Sequence, residues 1–573
     1  MAFQYRPAFL DLGTGYTRSD LLTDIGAGML VGVVALPLSM GLAIASGCKP
    51  EQGLWTAIVA GILVSLLGGT RVQIGGPAGA FVGLCAAGVN QFGYSGLALA
   101  TLMSGALILF MGVARLGKAI SYVPTPVVIG FTTGIALILL STQLGPALGV
   151  RDPVKPIDNL AERLVYLKDH LRAGEFSWRA LVCCASTVAL IQAFRRISTR
   201  IPGALLALLI VGGMSWALQW EGEGPNSVMT IQTQFGGISH GLPAPALPSL
   251  GLQPNWHIGE LMQRMKDLSA LALALALLGS IESLLSAVVS DGMSGFRHDS
   301  SSELIGQGIA NLVTPFFQGM PATGVIARTS TNVRAGARSP IAGVVHSLTV
   351  LIIMLVAGPL VVHVPLAALA GVLLVVCWYM AELRHWPHIL KAGRSDAALL
   401  PIAFLLTAFI GLVQAILVGV VLAMFFFVKR MSDTAQVEKY SSQDLTEKLQ
   451  PIPKGVEVYE VRGPFFFGAA TMIRDLDSNA GEHARIMILR LRLVPFIDTT
   501  AAFSLRELHA SLKYRGGRLL VSDVHTRALH DLERHGIVEL IGVDSVHHDL
   551  ASALDQGTAL LAQSPKQAIP VVH

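Results

Sequence analysis

Arg328 is the residue whose surroundings in the sequence most clearly suggest a chemical role. It lies among small and hydroxyl residues in the stretch 319–331, between two long apolar segments, and no acidic residue of this stretch neutralises it. A proline and a glycine favour an extended approach, and Thr323 is suited to cap a helix that begins near Val325. Arg328 would then lie in the first turn, where unpaired N–H groups and the helix dipole also favour an anion. The pattern predicts an anion-binding site.

A second copy of this pattern occurs early in the chain. The stretch 74–81 also interrupts an apolar region with glycines, a proline and a helix start of small residues. Broken segments at corresponding positions of two halves indicate a transporter site near the middle of the membrane, built from half-helices whose N-termini face the substrate. The alternative is that Arg328 extends to the cytoplasmic surface, as we expect for Arg334 and Arg338.

Glu282 is the only acidic residue of the apolar segment 268–289. A carboxyl group is costly in hydrocarbon, which makes this residue a functional candidate. Ser286 lies four residues further on, so a helix places both side chains on one face. We expect the pair to couple transport to a proton or another cation. The alternative is a structural ion pair between Glu282 and Arg328.

The composition limits the class of protein. The chain has 573 residues, of which 52% are hydrophobic and 14% are charged, and its mean hydropathy is +0.60. These values indicate an integral membrane protein. The net charge of +4 comes from basic residues spread over short loops, which does not indicate nucleic-acid binding. The five cysteines have no disulfide or zinc spacing, and the glycine-rich run lacks the residues of a nucleotide-binding loop. We therefore expect no enzyme activity, no cofactor and no metal.

Apolar runs of roughly 17 to 25 residues predict about fourteen membrane spans in two sets of seven, and the third span of each set is broken. An odd number of spans per half inverts the second half relative to the first. Lysine and arginine are concentrated in alternate short loops, which places both termini in the cytoplasm. Two long connections, 149–177 and 220–266, are expected to be irregular. The predicted spans are 23–47, 53–69, 78–91, 94–114, 124–148, 178–194, 202–219, 268–293, 302–317, 325–335, 339–362, 365–383, 396–411 and 413–429.

The chain is predicted to have two folded parts joined by a linker. A cytoplasmic N-terminal segment, a transmembrane region, a polar linker and a soluble domain are assigned to 1–22, 23–432, 433–454 and 455–573. In the soluble domain, short apolar strands alternate with amphipathic helices at 500–514 and 526–535, which indicates a small α/β sheet. Asp498 is suited to cap the first helix, and Asp498, Thr499 and Thr500 are candidate regulatory residues.

These features resemble the SulP anion transporters, relatives of the SLC26 proteins, over essentially the whole chain. The matching segments are LPLSM at 36–40, GGP at 75–77, GSIES at 279–283, ART at 327–329 and, in what resembles a STAS domain, FIDTT at 496–500. The resemblance implies a polytopic α-helical protein with a seven-plus-seven inverted repeat, core and gate subdomains, an elevator-like movement and a homodimer. It also implies an anion between the third and tenth half-helices. The substrate-binding residues that it implies are Leu38, Gly76, Ala78, Gly79, Ala80, Ala327, Arg328 and Thr329.

Coupling and substrate class follow from the same resemblance. The family often has glutamine where this chain has Leu38. Glu282 is similar to the acid of members that look proton-coupled, whereas the sodium-using bicarbonate branch resembles an aspartate with a threonine four residues on, so protons are favoured over sodium. The segment 279–295 looks most like bacterial branches for sulfate or for C4-dicarboxylates such as succinate. Phosphorylatable STAS domains look like Asp-Ser followed by Ser or Thr and Gly, and the run 499–501 lacks that glycine.

The predicted function is uptake of sulfate, or of a similar small divalent anion, together with protons across a bacterial inner membrane. A proton symporter of C4-dicarboxylates is the close alternative. Another alternative is a bicarbonate or chloride carrier, either sodium-linked or uncoupled. A membrane scaffold that recruits metabolic enzymes through its STAS domain is a hypothesis of a different class. In every case the soluble domain is expected to control assembly or to bind a cytoplasmic protein partner.

Overall fold

The chain forms two compact units, Met1–Ala423 and Met424–His573. The computed structural model describes residues 5–13, 15–117, 124–151, 157, 160–198, 202–222, 226–237, 245–248, 258–391, 393–410, 412–440, 452–466, 473, 476 and 485–563.

The first unit is helical, and its two halves repeat one order of elements. The first half contains α1 (Arg18–Ala45), α2 (Pro50–Leu67), the two-residue strand β1 (Gly75–Gly76), α3 (Val82–Val113), α4 (Thr125–Leu148), α5 (Leu160–Arg172), α6 (Trp178–Ile197), α7 (Gly203–Ala217) and the short α8 (Ile231–Phe235). The second half contains α9 (Ile258–Ser294), α10 (Ser300–Val313), the strand β2 (Thr323–Gly324), α11 (Ile326–Arg334), α12 (Ile341–Val361), α13 (Leu366–Met380), the short α14 (Trp386–Leu390), α15 (Arg394–Leu405) and the beginning of α16 (Leu412–Thr434). The boundary between the two units falls within α16, after Ala423.

Each of the fourteen predicted spans coincides with a helix or half of one. The third and fourth spans are the two parts of α3, which is interrupted at Gly93, where φ is 71° and ψ is 176°. Among the described residues, seven helices are long and apolar enough to cross a membrane by themselves. The shorter apolar helices include α7 and α13. The apolar runs of the sequence therefore predict where helices occur. They do not predict the length of each helix, which depends on where the chain departs from helical geometry.

The prediction of an irregular connection at 149–177 is wrong for α5. Leucine recurs in α5 at 160, 164, 167 and 171, which is the spacing of an amphipathic helix. These leucines alternate with charged residues, so they form no continuous apolar run. Similarly, α9 begins at Ile258, ten residues before its predicted start, because its polar first turns contain good helix formers.

The second unit has a five-stranded sheet with helices on both faces. Its strands are β3 (Gln436–Lys439), β4 (Val456–Arg462), β5 (Ile486–Leu493), β6 (Arg518–Ser522) and β7 (Val546–His547), and they lie in that order. Only β3 is antiparallel to its neighbour. Three helices, α17 (Thr499–Tyr514), α18 (Thr526–Arg534) and α19 (Ile537–Ile541), contribute to the core on one face of the sheet, and α20 (Leu550–Gln563) covers the other.

The predicted α/β fold of this unit agrees with the observed sheet. The predicted linker differs from the structure in one respect, because part of it forms a strand. The stretch 433–454 contributes β3, which pairs with β4 from Gln436 opposite Arg462 to Lys439 opposite Tyr459. The polar composition hid this strand because an edge strand needs few apolar side chains. The remainder of the predicted linker, at 441–451, lies outside the described residues.

Helices α3 and α10 pack with their backbones in close approach. A Cβ atom added to Gly105 would lie 2.7 Å from the backbone nitrogen of Leu312 and 3.0 Å from the carbonyl oxygen of Gly308. A Cβ atom added to Gly308 would lie 2.7 Å from the Cα atom of Leu109. Small residues at such a crossing let dispersion contacts form along the backbones, which is a main source of helix association in membranes.

We expect Gly308→Ala to lower the melting temperature of the purified full-length protein in detergent by several degrees. The added methyl group would meet backbone atoms of α3, and overpacking of this kind costs about 1–3 kcal/mol. Gly213→Ala is the matched control, because a Cβ atom at Gly213 in α7 has no neighbour within 4 Å. An equal melting temperature for the Gly308 variant and the control would contradict this account of the helix crossing.

Candidate anion-binding site

The two broken segments pair with each other. Strands β1 and β2 are antiparallel, with Gly75 opposite Gly324 and Gly76 opposite Thr323. The N–H group of Val325 also donates to the carbonyl oxygen of Ile74 at 2.9 Å. Backbone groups that leave a helix inside a membrane need partners, and each break supplies them to the other. The start of α11 is therefore fixed relative to the first break.

Side chains supply hydrogen-bond partners for the backbone of the second break. Ala322 accepts hydrogen bonds from Asn311 at 2.9 Å and from Gln307 at 2.6 Å, and its N–H group donates to Asn311 Oδ1 at 2.9 Å. The N–H group of Met320 donates to Thr56 Oγ1 at 2.7 Å. The extended segment before α11 is thus held by side chains of α10 and α2.

The helix α11 begins as predicted, but with a different cap. Its N-cap residue is Val325, and Thr323 instead donates from Oγ1 to the carbonyl oxygen of Gly279 in α9 at 2.9 Å. The prediction that Thr323 caps this helix is wrong because its hydroxyl group finds a partner on a neighbouring helix. In the part of the chain that the structure describes, no side chain of the N-cap residue caps α11. The first N–H groups of an α-helix have no partner within the helix, so those at the start of α11 remain available to a ligand.

Arg328 lies in this first turn and is buried, with a relative exposure of 2%. Its Nη2 atom donates to Ser39 Oγ in α1 at 3.1 Å. Its Nε and Nη1 atoms have no hydrogen-bond partner in the described part of the chain. A Cβ atom at position 76 would lie 2.6 Å from Nη1, so Gly76 leaves room for the guanidinium group. The alternative in which Arg328 extends to the surface is contradicted, whereas Arg334 and Arg338 are exposed as expected.

Thr329 and Ser286 connect three elements. Thr329 Oγ1 accepts from the N–H group of Ile74 at 3.1 Å and from Ser286 Oγ at 3.1 Å. Both residues are fully buried. These contacts tie α11 to the first break and to α9. The hydroxyl group of Thr329, predicted to contact substrate, is therefore engaged with the protein.

Glu282 lies one turn before Ser286 in α9, as the spacing predicted. Its side chain is half-buried, and its Oε2 atom has no hydrogen-bond partner in the described part of the chain. No ion pair joins Glu282 to Arg328 among the described residues. The structural ion pair considered as an alternative is thus not formed, and one carboxylate oxygen is left to bind a proton or cation.

The other predicted substrate-binding residues divide by exposure. Ala78 and Ala80 are buried beside the first break, while Gly79 is half-buried and Ala327 is exposed at the start of α11. Leu38 packs against a large apolar cluster next to Ser39, the partner of Arg328. These residues surround the two half-helix starts without offering a second charged group.

Sequence reasoning missed three polar residues of this region, Ser39, Gln73 and Glu303. Ser39 enters the sequence analysis only within the matching segment 36–40 and is not singled out, although it contacts Arg328. Glu303 is fully buried in the first turn of α10 and accepts a hydrogen bond from Gln73 at 3.0 Å. The sequence signal for Glu303 is weak, because it is the second residue of the predicted span 302–317, whereas Glu282 lies well inside its span.

The candidate regulatory residues of the sheet unit have ordinary surroundings. Asp498 caps α17 and accepts from the N–H group of Ala501 at 2.8 Å, as predicted. Thr499 and Thr500 are exposed in its first turn. Among the described residues, no group of three or more His, Cys, Asp or Glu side chains could hold a metal ion.

Comparison with known proteins identifies both units. A model of the sulfate permease family matches residues 21–403, and a STAS domain model matches residues 449–553. The chain is 37% identical over 541 residues to "Putative sulfate transporter YvdB" of Bacillus subtilis (strain 168), covering 93% of this chain and 98% of that protein. It is 29% identical over 508 residues to "Bicarbonate transporter BicA" of Picosynechococcus, covering 84% of this chain and 85% of that protein.

Solved structures confirm the predicted fold class. The structure of SLC26A9 superposes with a TM-score of 0.82 at 17% sequence identity, covering 97% of this chain and 93% of that one. The transmembrane domain of a cyanobacterial BicA superposes with a TM-score of 0.58 at 26% identity, covering 71% of this chain and 97% of that domain. The chain belongs to the sulfate permease (SulP) family of secondary anion transporters, as a multi-pass membrane protein with a C-terminal STAS domain.

Proposed function

We propose that this protein takes up sulfate, or a similar small divalent anion, together with protons by an elevator-like movement. The anion binds between the starts of the third and tenth predicted spans. Arg328 and the first turn of α11 hold it, and Glu282 carries the coupled proton. The protein acts as a homodimer in a bacterial inner membrane, with both termini in the cytoplasm.

The proposal rests mainly on the guanidinium group of Arg328, which is buried and has two nitrogen atoms without a hydrogen-bond partner in the described part of the chain. A buried charge is costly unless it is paired, and within the described residues its one hydrogen-bond partner is the neutral Ser39. An oxyanion would accept from Nε and Nη1 and from the uncapped N–H groups of α11. A divalent anion gains more from this arrangement than a monovalent one because each interaction scales with its charge.

Coupling follows from the position of Glu282 on the helix that α11 packs against. An arriving anion repels the charged carboxylate, which favours the protonated form of Glu282. Protonation in turn removes that repulsion and strengthens anion binding. Linkage requires each ligand to tighten the binding of the other, so anion and proton move together.

The names of the relatives point to two substrates, and the relatives differ in their sequence identity to this chain. The Bacillus subtilis relative, at 37% identity, carries the name "Putative sulfate transporter YvdB", and this favours sulfate. The relatives at 29% and 27% identity are named as bicarbonate transporters, so bicarbonate is the second candidate. Purified protein in liposomes, supplied with labelled sulfate, succinate or bicarbonate under imposed pH or sodium gradients, separates these substrates and the two coupling ions. Absence of transport with every substrate would favour the scaffold hypothesis.

We expect Arg328→Ala to weaken sulfate binding to the purified protein by about ten- to a hundredfold, the range expected for loss of hydrogen bonds to a charged group. Arg328→Lys should recover part of the affinity, because it keeps the charge and loses the planar fork. Arg334→Ala is the control, since Arg334 is exposed on the same helix. Isothermal titration calorimetry provides the affinities. Equal affinity in the parent and Arg328→Ala would exclude this arginine from the anion site.

We expect Glu282→Gln to keep sulfate binding and exchange but to lose accumulation driven by an acid exterior. Glutamine resembles the protonated carboxyl group and cannot release a proton. Asp267→Asn is the control, because Asp267 is an exposed carboxylate in the same helix. Uptake of labelled sulfate into liposomes, with and without a pH gradient, measures this accumulation. Undiminished accumulation by Glu282→Gln would remove this residue from coupling, and accumulation driven by sodium in the parent would replace the proton in the proposal.

A further inference from the structure

Glu303 is a second buried carboxylate, distinct from the proposed proton carrier. It is fully buried in the first turn of α10. Its Oε1 atom accepts from Gln73 Nε2 at 3.0 Å and from Ser283 Oγ at 3.1 Å, and its Oε2 atom accepts from Thr70 Oγ1 at 2.7 Å. Among the described residues no basic side chain lies within ion-pair distance of it, although His298, whose Nδ1 atom pairs with Asp291, is near enough to stabilise its negative charge. The backbone N–H group of Gly69 and the start of α10 also stabilise this carboxylate.

These donors come from the elements that form the anion site. Thr70 and Gln73 precede the first break, and Ser283 is the residue after Glu282 in α9. Gln73 Nε2 also donates to Ser283 Oγ at 2.9 Å. The carboxylate of Glu303 therefore joins α9, α10 and the segment that leads to β1.

The amide group of Gln73 lies directly against the second break. A Cβ atom added to Gly324 would overlap the Nε2 atom of Gln73. Gly324 is in β2, opposite Gly75, and α11 begins two residues later. A shift of the Gln73 side chain would therefore press on or release the strand pair that sets the start of α11.

We propose that Glu303 is a positioning residue for anion binding: its carboxylate orients Gln73 against Gly324 and thereby fixes the paired breaks that present Arg328. This role rests on the proposed function for its ligand, but the positioning itself is a property of the protein without ligand. It requires an acceptor at Glu303 and a donor at Gln73, and it requires no movement of a proton.

A carboxylate–amide exchange tests this role. Gln73→Glu places two acceptors face to face and should weaken sulfate binding by about tenfold or more, the cost of leaving buried polar groups unpaired. The double variant Gln73→Glu/Glu303→Gln restores one carboxylate and one amide with their positions exchanged, and it should recover most of the affinity. Glu303→Gln alone should lose less affinity than Gln73→Glu and should keep pH-driven accumulation, because its carbonyl oxygen still accepts from Gln73 and the Thr70 hydroxyl can rotate to accept, whereas its amide group faces the N–H group of Gly69. Glu162→Gln, an exposed carboxylate in α5, is the control.

Hydrogen–deuterium exchange of the ligand-free full-length protein supplies a readout that does not depend on the substrate. Peptides covering 72–76 and 323–329 contain the Val325 and Ile74 N–H groups that join the breaks. Their exchange should rise in Gln73→Glu and return toward the parent level in the double variant. If the parent binds no sulfate and this exchange pattern holds, the positioning role stands and the substrate proposal fails.

Two outcomes would overturn the positioning role. Unchanged exchange and unchanged affinity in Gln73→Glu would show that the contact with Gly324 does not set the breaks. Loss of pH-driven accumulation in Glu303→Gln, with binding and exchange intact, would make Glu303 a proton carrier instead. A folded double variant that recovers neither readout would also count against it, because the exchanged pair would then fail to restore the proposed contact.

Discussion

The pairing of two broken segments is the constraint on which the rest of the membrane unit depends. Polypeptide that leaves helical geometry within a bilayer exposes N–H and C=O groups, and each unsatisfied group costs several kcal/mol. Here β1 and β2 pair with each other, the N–H group of Val325 donates to Ile74, and Asn311 and Gln307 supply partners for Ala322. Two half-helices can then begin deep in the protein, and the dipole of each favours negative charge at its start.

Buried polar side chains around the breaks serve two different purposes. Thr329, Ser286 and Glu303 have their hydrogen-bonding atoms engaged by the protein, and they fix geometry. Arg328 and Glu282 each keep at least one polar atom without a partner in the described part of the chain. Remaining hydrogen-bonding capacity alone does not mark a ligand site, because Gln307, which holds Ala322, also keeps its amide oxygen without a partner in the described part of the chain. Arg328 and Glu282 differ from Gln307 because their unpartnered atoms belong to ionisable groups.

The sequence allowed the breaks, Arg328 and Glu282 to be predicted because each departs from its local pattern. Glycine and proline interrupt apolar runs, and a charge inside such a run is conspicuous. The cap at Thr323 and the substrate contact of the Thr329 hydroxyl could not be judged in this way, since their partners lie on α9 and near the first break. Glu303 was overlooked because it lies near the polar start of its span, where a charge is ordinary. Local chemistry can be predicted from neighbours in the chain, whereas contacts between the two halves depend on packing.

Burial of Arg328 also determines how dissolved salt acts on this protein. Mobile ions screen charges at a surface over roughly 8 Å at physiological ionic strength, but they screen a buried charge much less. A guanidinium group at 2% exposure would therefore be little affected by ionic strength as such. Salts would instead act when their anion binds beside Arg328. The size and charge of that anion would then matter more than the ionic strength of the solution. On the proposed function, selectivity among environmental anions would then depend on the groups packed around this one side chain.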